Sequence, residues 1–301
     1  MKTLTVFTPT FNRAHLLPRL YESLYRQTSK DFLWLVIDDG SSDNTKELVQ
    51  QWMEENKIEI QYHYKENGGM HTGHNAAYRL IKTELNVCID SDDYMPDDAV
   101  VLILNKWNSI KDKTTIAGII GLDADTNGKI IGTKIPENLT KGSLIDLYNK
   151  HQVKGDKKLV LRTDIVREYP EYPEYEGEKL VPLGILYMMM GKDYDFVYKN
   201  EVYCIVEYQE EGSSQTIFKQ YKQSPKGFAY ARKIHIKYAD NVKDKVKGYL
   251  HLISSALFAK DIRIAFSGVN PLVSGILFPA GLFLNTYICS KIRKSWKSCK
   301  L

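Results

Sequence analysis

Three carboxylates stand within four residues at Asp90-Ser91-Asp92-Asp93. Carboxylates this close repel one another, and each costs desolvation energy where it is buried. A bound cation offsets both costs. Carboxylate oxygens suit hard divalent ions such as Mg²⁺ or Mn²⁺, which commonly bridge a protein carboxylate to a substrate diphosphate. The alternative is an acidic turn in which Asp92 or Asp93 caps the following helix. The cluster alone does not decide between these two interpretations.

The elements around this cluster alternate between strand and helix. Apolar runs of strand length predict strands at 4–8, 32–37, 58–64 and 85–89, and helical patterns follow at 14–27, 44–55, 71–82 and 96–107. Such an alternation predicts an α/β fold with a mostly parallel sheet flanked by helices.

A polar loop follows each predicted strand, at 9–13, 38–43, 67–74 and 90–93. Ligands of parallel sheets bind beyond the carboxyl ends of the strands, so these loops are expected to meet at one edge. Each loop alone could be a turn or a helix cap. The convergence of all of them favours a binding site.

The same loops resemble the successive motifs of the family 2 glycosyltransferases with the GT-A fold. The match is close over residues 3–107 and looser to about residue 215. The segments that carry it are Thr8-Pro9-Thr10-Phe11-Asn12-Arg13, Val36-Ile37-Asp38-Asp39-Gly40-Ser41-Ser42-Asp43, Asn67-Gly68-Gly69 with His74-Asn75, and Asp90-Ser91-Asp92-Asp93.

The resemblance implies a nucleotide-sugar donor bound by the first three loops. Asp39 would accept a hydrogen bond from the nucleobase, most naturally a uracil N–H. Gly68 and Gly69 would let the backbone pass close to the donor. The other residues implied to border the nucleotide sugar are Pro9, Asn12, Arg13 and Asn67.

The resemblance also separates the members of the fourth loop. Asp90, with Ser91 beside it, would lie near the ribose, and Asp92 would be the main ligand of Mn²⁺ or Mg²⁺. The metal would act as a Lewis acid on the leaving diphosphate. Asp93 is interpreted as the cap of the following helix.

One position departs from the family pattern, because His74 stands where the family often has an arginine, and His71 lies one helical turn earlier. A histidine there would contact phosphate or sugar with a weaker, pH-dependent charge. The alternative is a pair of surface histidines at a helix start. The preferred donor sugar therefore stays open.

The second half is predicted to bind the acceptor. Strands are expected at 116–122, 129–133 and 159–162, and helices at 142–150 and 180–190. The segment 168–179 is rich in Tyr, Pro and Glu, which suits a carbohydrate site, although a solvated acidic loop is the alternative. By resemblance the chain after strand 201–208 can close over the donor, with Ser213, Ser214 and Lys222 near the diphosphate.

An inverting transferase needs a general base to take the proton of the acceptor hydroxyl. The resemblance implies Glu178 for this role, with Glu176 as the second choice. The Glu-Asp pair that is usual in the family is absent, since Lys179 follows Glu178.

The C-terminal segment is apolar, with no charged residue from 264 to 290. Its length would permit a membrane span. Pro271, Pro279 and several glycines predict instead a re-entrant or interfacial pair of short helices, anchored to anionic lipid by a basic end. The alternative is a helical hairpin packed on the catalytic domain or on a second subunit. The basic residues that follow are Lys291, Arg293, Lys294, Lys297 and Lys300.

Composition limits the remaining possibilities. A length of 301 residues, 43% of them hydrophobic, suits one large domain with an appendage. The net charge is only +4 and the basic residues are mostly dispersed, so the sequence does not indicate a basic surface for nucleic acid. The four scattered cysteines and the absence of a signal peptide are typical of a reduced, cytosolic chain.

We predict a GT-A catalytic domain at 1–220, with a nucleotide-binding half at 1–107 and an acceptor half at 108–220. A membrane-associating helical region is predicted at 221–301.

The predicted function is inverting, metal-dependent transfer of a sugar from a nucleotide sugar, most naturally UDP-linked, in cell-surface polysaccharide synthesis. The acceptor would be a hydroxyl of a glycan or lipid-linked oligosaccharide. The protein would be peripheral or monotopic at the cytosolic face of the membrane, and a homo-oligomer is possible. One alternative is a sugar nucleotidyltransferase, although residues 8–13 lack the glycines of a triphosphate loop. The other is a non-catalytic nucleotide-sugar-binding module.

Overall fold

A computed structural model describes residues 2–207 and 217–298. The chain forms two compact units. The first contains Met1–Glu171 and Leu186–Gln209, and the second contains Tyr172–Ile185 and Glu210–Leu301. The predicted functional division at residue 220 is not tested by these units and stays a prediction.

The first unit is built on an eight-stranded sheet in the order β3-β2-β1-β4-β7-β5-β8-β6. Strands β1 to β4 are mutually parallel, whereas β7 runs antiparallel to both β4 and β5. The strands are β1 (Leu4–Thr10), β2 (Phe32–Asp38), β3 (Ile60–Tyr64), β4 (Leu85–Cys88), β5 (Ile116–Asp125), β6 (Lys141–Gly142), β7 (Lys157–Arg162) and β8 (Asp195–Val206).

Helices connect most of these strands. They are α1 (Leu17–Tyr25), α2 (Thr45–Glu55), α3 (Met70–Leu80), α4 (Ala99–Ser109), α5 (Leu144–Asn149), α6 (Thr163–Val166) and α7 (Gly184–Asp193). Every residue of β1 and β2 is buried, as expected for central strands covered on both faces. The core includes the fully buried rings of Trp34, Trp107 and Tyr203.

The predicted α/β architecture is confirmed, with three local corrections. The strand predicted at 129–133 is reduced to a single bridge between Ala124 and Ile130. The helix predicted at 180–190 begins only at Gly184, after Pro182, which cannot donate a helical hydrogen bond. Helix α4 begins at Ala99 with Asp98 at the N-cap position, so the interpretation of Asp93 as its cap is wrong.

The described part of the second unit is helical. It contains α8 (Ile217–Gln223), α9 (Pro225–Tyr238), α10 (Val242–Phe258), a 3₁₀ turn (Ile262–Ala265) and α11 (Pro271–Ser298). The predicted pair of short helices is wrong, because α11 is one helix of 28 residues with Pro279 inside it. Pro271 stands at the helix start, where its missing N–H costs little, and Pro279 removes only one backbone donor from a long helix.

Within α11, Pro271–Arg293 is long and apolar enough to cross a membrane by length and composition. Only 17% of that stretch is buried inside the protein.

Candidate active site

Asn12 ties the first loop to the second. Its φ of 53° lies in the left-handed region, which asparagine tolerates better than most residues. Asn12 Oδ1 accepts hydrogen bonds from the backbone N–H of Ser42 at 2.7 Å and of Asp43 at 3.3 Å. The hydroxyl of Ser41 accepts from the N–H of Asn12 at 2.9 Å. The two loops therefore support the next residue, Arg13, together.

Asp39 is buried and organises the third loop. Its Oδ1 accepts from Lys65 Nζ at 2.6 Å and from the Gly68 N–H at 2.9 Å. Its Oδ2 accepts from the Gly69 N–H at 2.7 Å and from Asn67 Nδ2 at 3.1 Å. A carboxylate has about four acceptor positions, so a nucleobase N–H would have to share one of these.

The glycines of this loop are required by close contacts. A Cβ on Gly68 would come within 2.6 Å of the Thr72 hydroxyl. A Cβ on Gly40, in the second loop, would come within 2.8 Å of the Asn67 nitrogen. Gly69 has a φ of 94°, which L-residues with a side chain rarely adopt. Larger residues here would push the second and third loops apart.

His74 and His71 are both buried in α3, so the alternative of two surface histidines is wrong. His74 Nδ1 lies 3.2 Å from the Tyr78 hydroxyl, and its ring meets that of Phe7 edge-on with centroids 5.0 Å apart. Burial lowers the pKa of His74 to about 3. The ring is therefore neutral at physiological pH, and its predicted contact with the donor would have to be made without charge.

Asp92 lies in the fourth loop between two arginines. Arg13 Nη1 is 2.8 Å from Asp92 Oδ2. Arg19 of α1 donates to the Asp92 carbonyl and to the carboxylate of Glu207, and its guanidinium stands 5.0 Å from the centre of the Tyr94 ring. The backbone of Asp92 is thus held by Arg19, while its partly exposed carboxylate has a cation as partner.

Asp93 has different surroundings from Asp92. It is buried, and its carboxyl lies 3.6 Å from the Cys204 thiol and 3.4 Å from the Glu207 nitrogen. Burial raises the pKa of Asp93 to about 7, with the charges of Asp90 and Asp92 acting in the same direction. Asp93 is buried against Cys204 and Glu207, whereas the Asp92 carboxylate is partly exposed, which leaves Asp92 as the better candidate for a metal ligand.

Two charged residues that sequence reasoning missed stand behind the fourth loop. Asp123 is buried in β5, and its Oδ1 has no hydrogen-bond partner among the residues that the structure describes. Lys158 lies on β7. Burial lowers the pKa of Lys158, but the neighbouring carboxyl groups of Asp123, Asp90 and Asp93 outweigh this effect and hold the pKa above its usual value. Lys158 is therefore a fixed positive charge beside the acidic loop.

The two candidate general bases lie in the second unit. Glu178 accepts the backbone N–H of Lys226 at 3.0 Å and of Gly227 at 2.9 Å, one with each carboxylate oxygen. These N–H groups belong to the first turn of α9, where a negative charge is favourable. Glu178 thus caps α9, whereas Glu176 is exposed. A role as base stays a prediction for both.

The predicted diphosphate contacts, Ser213, Ser214 and Lys222, stay a prediction. Lys222 lies in the last turn of α8 and is exposed. Ser213 and Ser214 lie outside the described residues.

A family profile described as "Glycosyl transferase family 2" matches residues 5–168, more than half of the 301 residues. The chain belongs to glycosyl transferase family 2. The matched range contains all four loops described above, so the predicted resemblance is confirmed.

Individual family 2 relatives match different shares of the chain. The chondroitin synthase of Pasteurella multocida (strain Pm70) is 34% identical over 110 residues, which is 36% of this chain and 11% of that protein. TarP of Staphylococcus aureus (strain N315), a poly(ribitol-phosphate) beta-N-acetylglucosaminyltransferase by name, is 25% identical over 226 residues, which is 73% of this chain and 67% of TarP. The chain thus spans only 11% of the length of the chondroitin synthase.

Solved structures share the fold over almost the whole chain. S. aureus TarS in complex with UDP-GlcNAc superposes with a TM-score of 0.59 at 16% identity, covering 99% of this chain and 92% of TarS 1-349. The mannosyltransferase PcManGT of Pyrobaculum calidifontis, in complex with GDP-Man and Mn²⁺, gives a TM-score of 0.56 at 17% identity, covering 98% of this chain and 83% of that one. At these identities the likeness establishes the GT-A fold.

The carboxylates of this family 2 chain fit a metal that arrives with a diphosphate. Mg²⁺ and related ions often use one or two protein carboxylates together with substrate phosphates and water. Across residues 2–207 and 217–298, no group of three or more His, Cys, Asp or Glu side chains forms a metal cage. Asp92 offers a partly exposed carboxylate that already attracts the cationic Arg13. The charge and access at this position suit a divalent ion.

Proposed function

We propose that the chain is an inverting, metal-dependent glycosyltransferase that uses a nucleotide sugar, most naturally a UDP-sugar. The observation that carries the proposal is the set of loops beyond β1, β2, β3 and β4, in which Arg13, Asp39 and Asp92 are fixed by contacts between the loops. The ligands of TarS and PcManGT, UDP-GlcNAc and GDP-Man, support a nucleotide sugar as the donor.

In this proposal the acceptor oxygen attacks the anomeric carbon from the face opposite the diphosphate. The bond between that carbon and the diphosphate oxygen breaks, and the acceptor proton passes to a carboxylate, for which Glu178 and Glu176 are the predicted candidates. Once the Arg13 guanidinium leaves Asp92, it can form an ion pair with a phosphate of the donor. Asp39 keeps the third loop in place around the nucleotide. A divalent ion held by Asp92, with Asp90 nearby, would stabilise charge on the leaving diphosphate.

We place this reaction in the synthesis of a cell-surface polysaccharide at the cytosolic face of the membrane. TarP and the chondroitin synthase are by name enzymes of extended polymers, which supports a glycan as acceptor. The apolar helix α11 supports a membrane location, which would bring the enzyme to a lipid-linked acceptor.

A thermal-shift screen of nucleotides and nucleotide sugars, with and without Mn²⁺, tests the donor class. Ligand at about 100 times its Kd should stabilise the native protein by about 2.7 kcal/mol. We expect UDP and UDP-sugars to raise Tm in the presence of Mn²⁺, and to do so less without it. A protein that responds to no nucleoside diphosphate would contradict the proposed donor class.

A further inference from the structure

Helix α11 has one face packed within its own unit. That face buries Ser274, Gly281, Ile288 and Ile292, which recur at helical spacing. Gly281 lies so close to Ile253 of α10 that a Cβ would approach that side chain to 2.6 Å. Partners outside the unit therefore meet the other face.

The opposite face is an apolar stripe made by Leu272, Ile276, Phe283 and Tyr287. Their exposed fractions are 76%, 79%, 77% and 47%. At 3.6 residues per turn these positions lie on one side of the helix, away from the buried face. No charged residue interrupts the stripe, since none occurs from 264 to 290. A continuous exposed apolar surface of this kind marks an interaction site.

The charge of the second unit indicates the chemistry of the partner. This unit contains 17 Lys and Arg against 8 Asp and Glu, a net charge of +9, whereas the whole chain carries +4. The first unit is therefore negative overall, at −5. Lys291 and Arg293 follow the apolar stripe directly and are exposed. An apolar surface with a basic flank is complementary to anionic lipid.

The packed face decides how α11 meets a bilayer. Asn285 Nδ2 lies 3.2 Å from the Ser254 hydroxyl of α10, so a polar contact joins the two helices. The first turn of α10 contains Lys243, Asp244 and Lys245. A spanning α11 would have to break its contacts with α10 or bring these charges toward the hydrocarbon, and both are costly.

We infer that α11 lies in the plane of an anionic membrane surface, with the apolar stripe in the lipid and Lys291 and Arg293 at the headgroups. The inference deepens the membrane location in the proposed function, because it names the binding face and its orientation. It requires no particular donor or acceptor.

Vesicle co-sedimentation of the full chain tests the binding face. We expect binding to phosphatidylcholine vesicles that contain phosphatidylglycerol, weaker binding to phosphatidylcholine alone, and a decrease with salt. Each large side chain that enters lipid should contribute about tenfold in affinity or more. The triple variant Leu272→Ser, Ile276→Ser, Phe283→Ser should therefore bind ~1,000-fold more weakly.

Val242→Ser is the matched control, because Val242 is 76% exposed in the same unit but lies outside the stripe. It should bind vesicles as the unchanged chain does. Circular dichroism and UDP-sugar hydrolysis should be unchanged in the triple variant, so loss of membrane binding is separable from failure of the catalytic proposal. Full vesicle binding by the triple variant would overturn the inference. So would a dimer that the triple variant converts to a monomer without any vesicle binding.

A tryptophan in place of Phe283 tests the orientation. Lipids brominated near the headgroup should quench Phe283→Trp more strongly than lipids brominated near the bilayer centre. Stronger quenching from the centre would indicate a spanning helix and would overturn the in-plane orientation.

Discussion

Replacement of Asp39 by asparagine should destabilise the first unit even without a nucleotide. The carboxylate accepts four hydrogen bonds, with donors 2.6–3.1 Å away, from Lys65, Asn67, Gly68 and Gly69. An asparagine retains one acceptor oxygen and turns an NH₂ group toward two of these donors. The third loop would therefore lose two of the four hydrogen bonds that join it to this side chain.

The magnitude depends on how far these groups are buried. The Asp39 carboxylate is buried, but its four donors are only partly buried, so each donor that loses its acceptor costs less than the roughly 1–3 kcal/mol of a fully buried one. Loss of the negative charge that faces Lys65 adds to the destabilisation. The effect is limited because Lys65 Nζ keeps its hydrogen bonds to the Glu66 carbonyl at 2.6 Å and to the Thr72 hydroxyl at 2.7 Å. We therefore expect a loss of about 2–3 kcal/mol from the donors that lose an acceptor and from the weakened ion pair, since Asn67 Nδ2 keeps its hydrogen bond to the Asp39 carbonyl at 2.7 Å. That is a large share of a typical total stability of about 5–15 kcal/mol.

Urea denaturation followed by circular dichroism measures this loss, and calorimetry with UDP measures binding. The matched control is Asp98→Asn, because Asp98 is exposed and makes no capping hydrogen bond. If Asp39 serves only a nucleobase, Asp39→Asn will keep the stability of the unchanged chain and lose UDP affinity alone. That result would refute the reasoning from the hydrogen bonds.

The ion pair between Arg13 and Asp92 makes a further prediction, since the guanidinium and a metal ion compete for one carboxylate. Without nucleotide, the Arg13→Ala variant should bind Mn²⁺ more tightly than the unchanged chain, which electron paramagnetic resonance of free Mn²⁺ measures. The same variant should bind UDP more weakly. An unchanged Mn²⁺ affinity would contradict the competition. Glu178→Gln should lower Tm, because it removes one of two acceptors at the start of α9 and a cap is worth about 1 kcal/mol. Glu176→Gln should leave Tm unchanged. Transfer at the normal rate by Glu178→Gln would exclude Glu178 as the base.

The parallel half of the sheet and its four loops could be predicted because their signals are local. Each strand is a short apolar run, and each loop follows it directly in the sequence. Asp90 and Asp92 stand out for the same reason, although their spacing alone does not decide between a cation site and an acidic turn. Helix ends were less predictable, as shown by α4, which begins three residues later than its predicted start at 96.

The contacts that fix the site could not be predicted, because they depend on tertiary structure. Lys158 reaches the acidic loop only through the antiparallel pairing of β7 with β4, in which Val160 faces Val87. Arg19 meets the Asp92 carbonyl across 73 residues of chain. Glu178 meets Gly227 across 49 residues, so its capping role has no local signal.

The C-terminal helix shows the opposite error, in which a local rule was given too much weight. Pro279 and the glycines predicted a break, but α11 continues through Pro279 for 28 residues. Packing of Gly281 and Ile288 on the unit provides stabilisation that the sequence pattern does not display.

The most direct test of the central claim is UDP release from a UDP-sugar by the full chain, with and without Mn²⁺, for the unchanged chain and for Asp92→Ala. Turnover should depend on Mn²⁺. The variant should lose at least ~100-fold of that turnover, because metal stabilisation of the leaving diphosphate is worth several kcal/mol and about 1.4 kcal/mol corresponds to tenfold in rate. Asp98→Asn should turn over normally. Donor turnover by Asp92→Ala at the rate of the unchanged chain would contradict the assignment of Asp92 and the metal-dependent mechanism built on it.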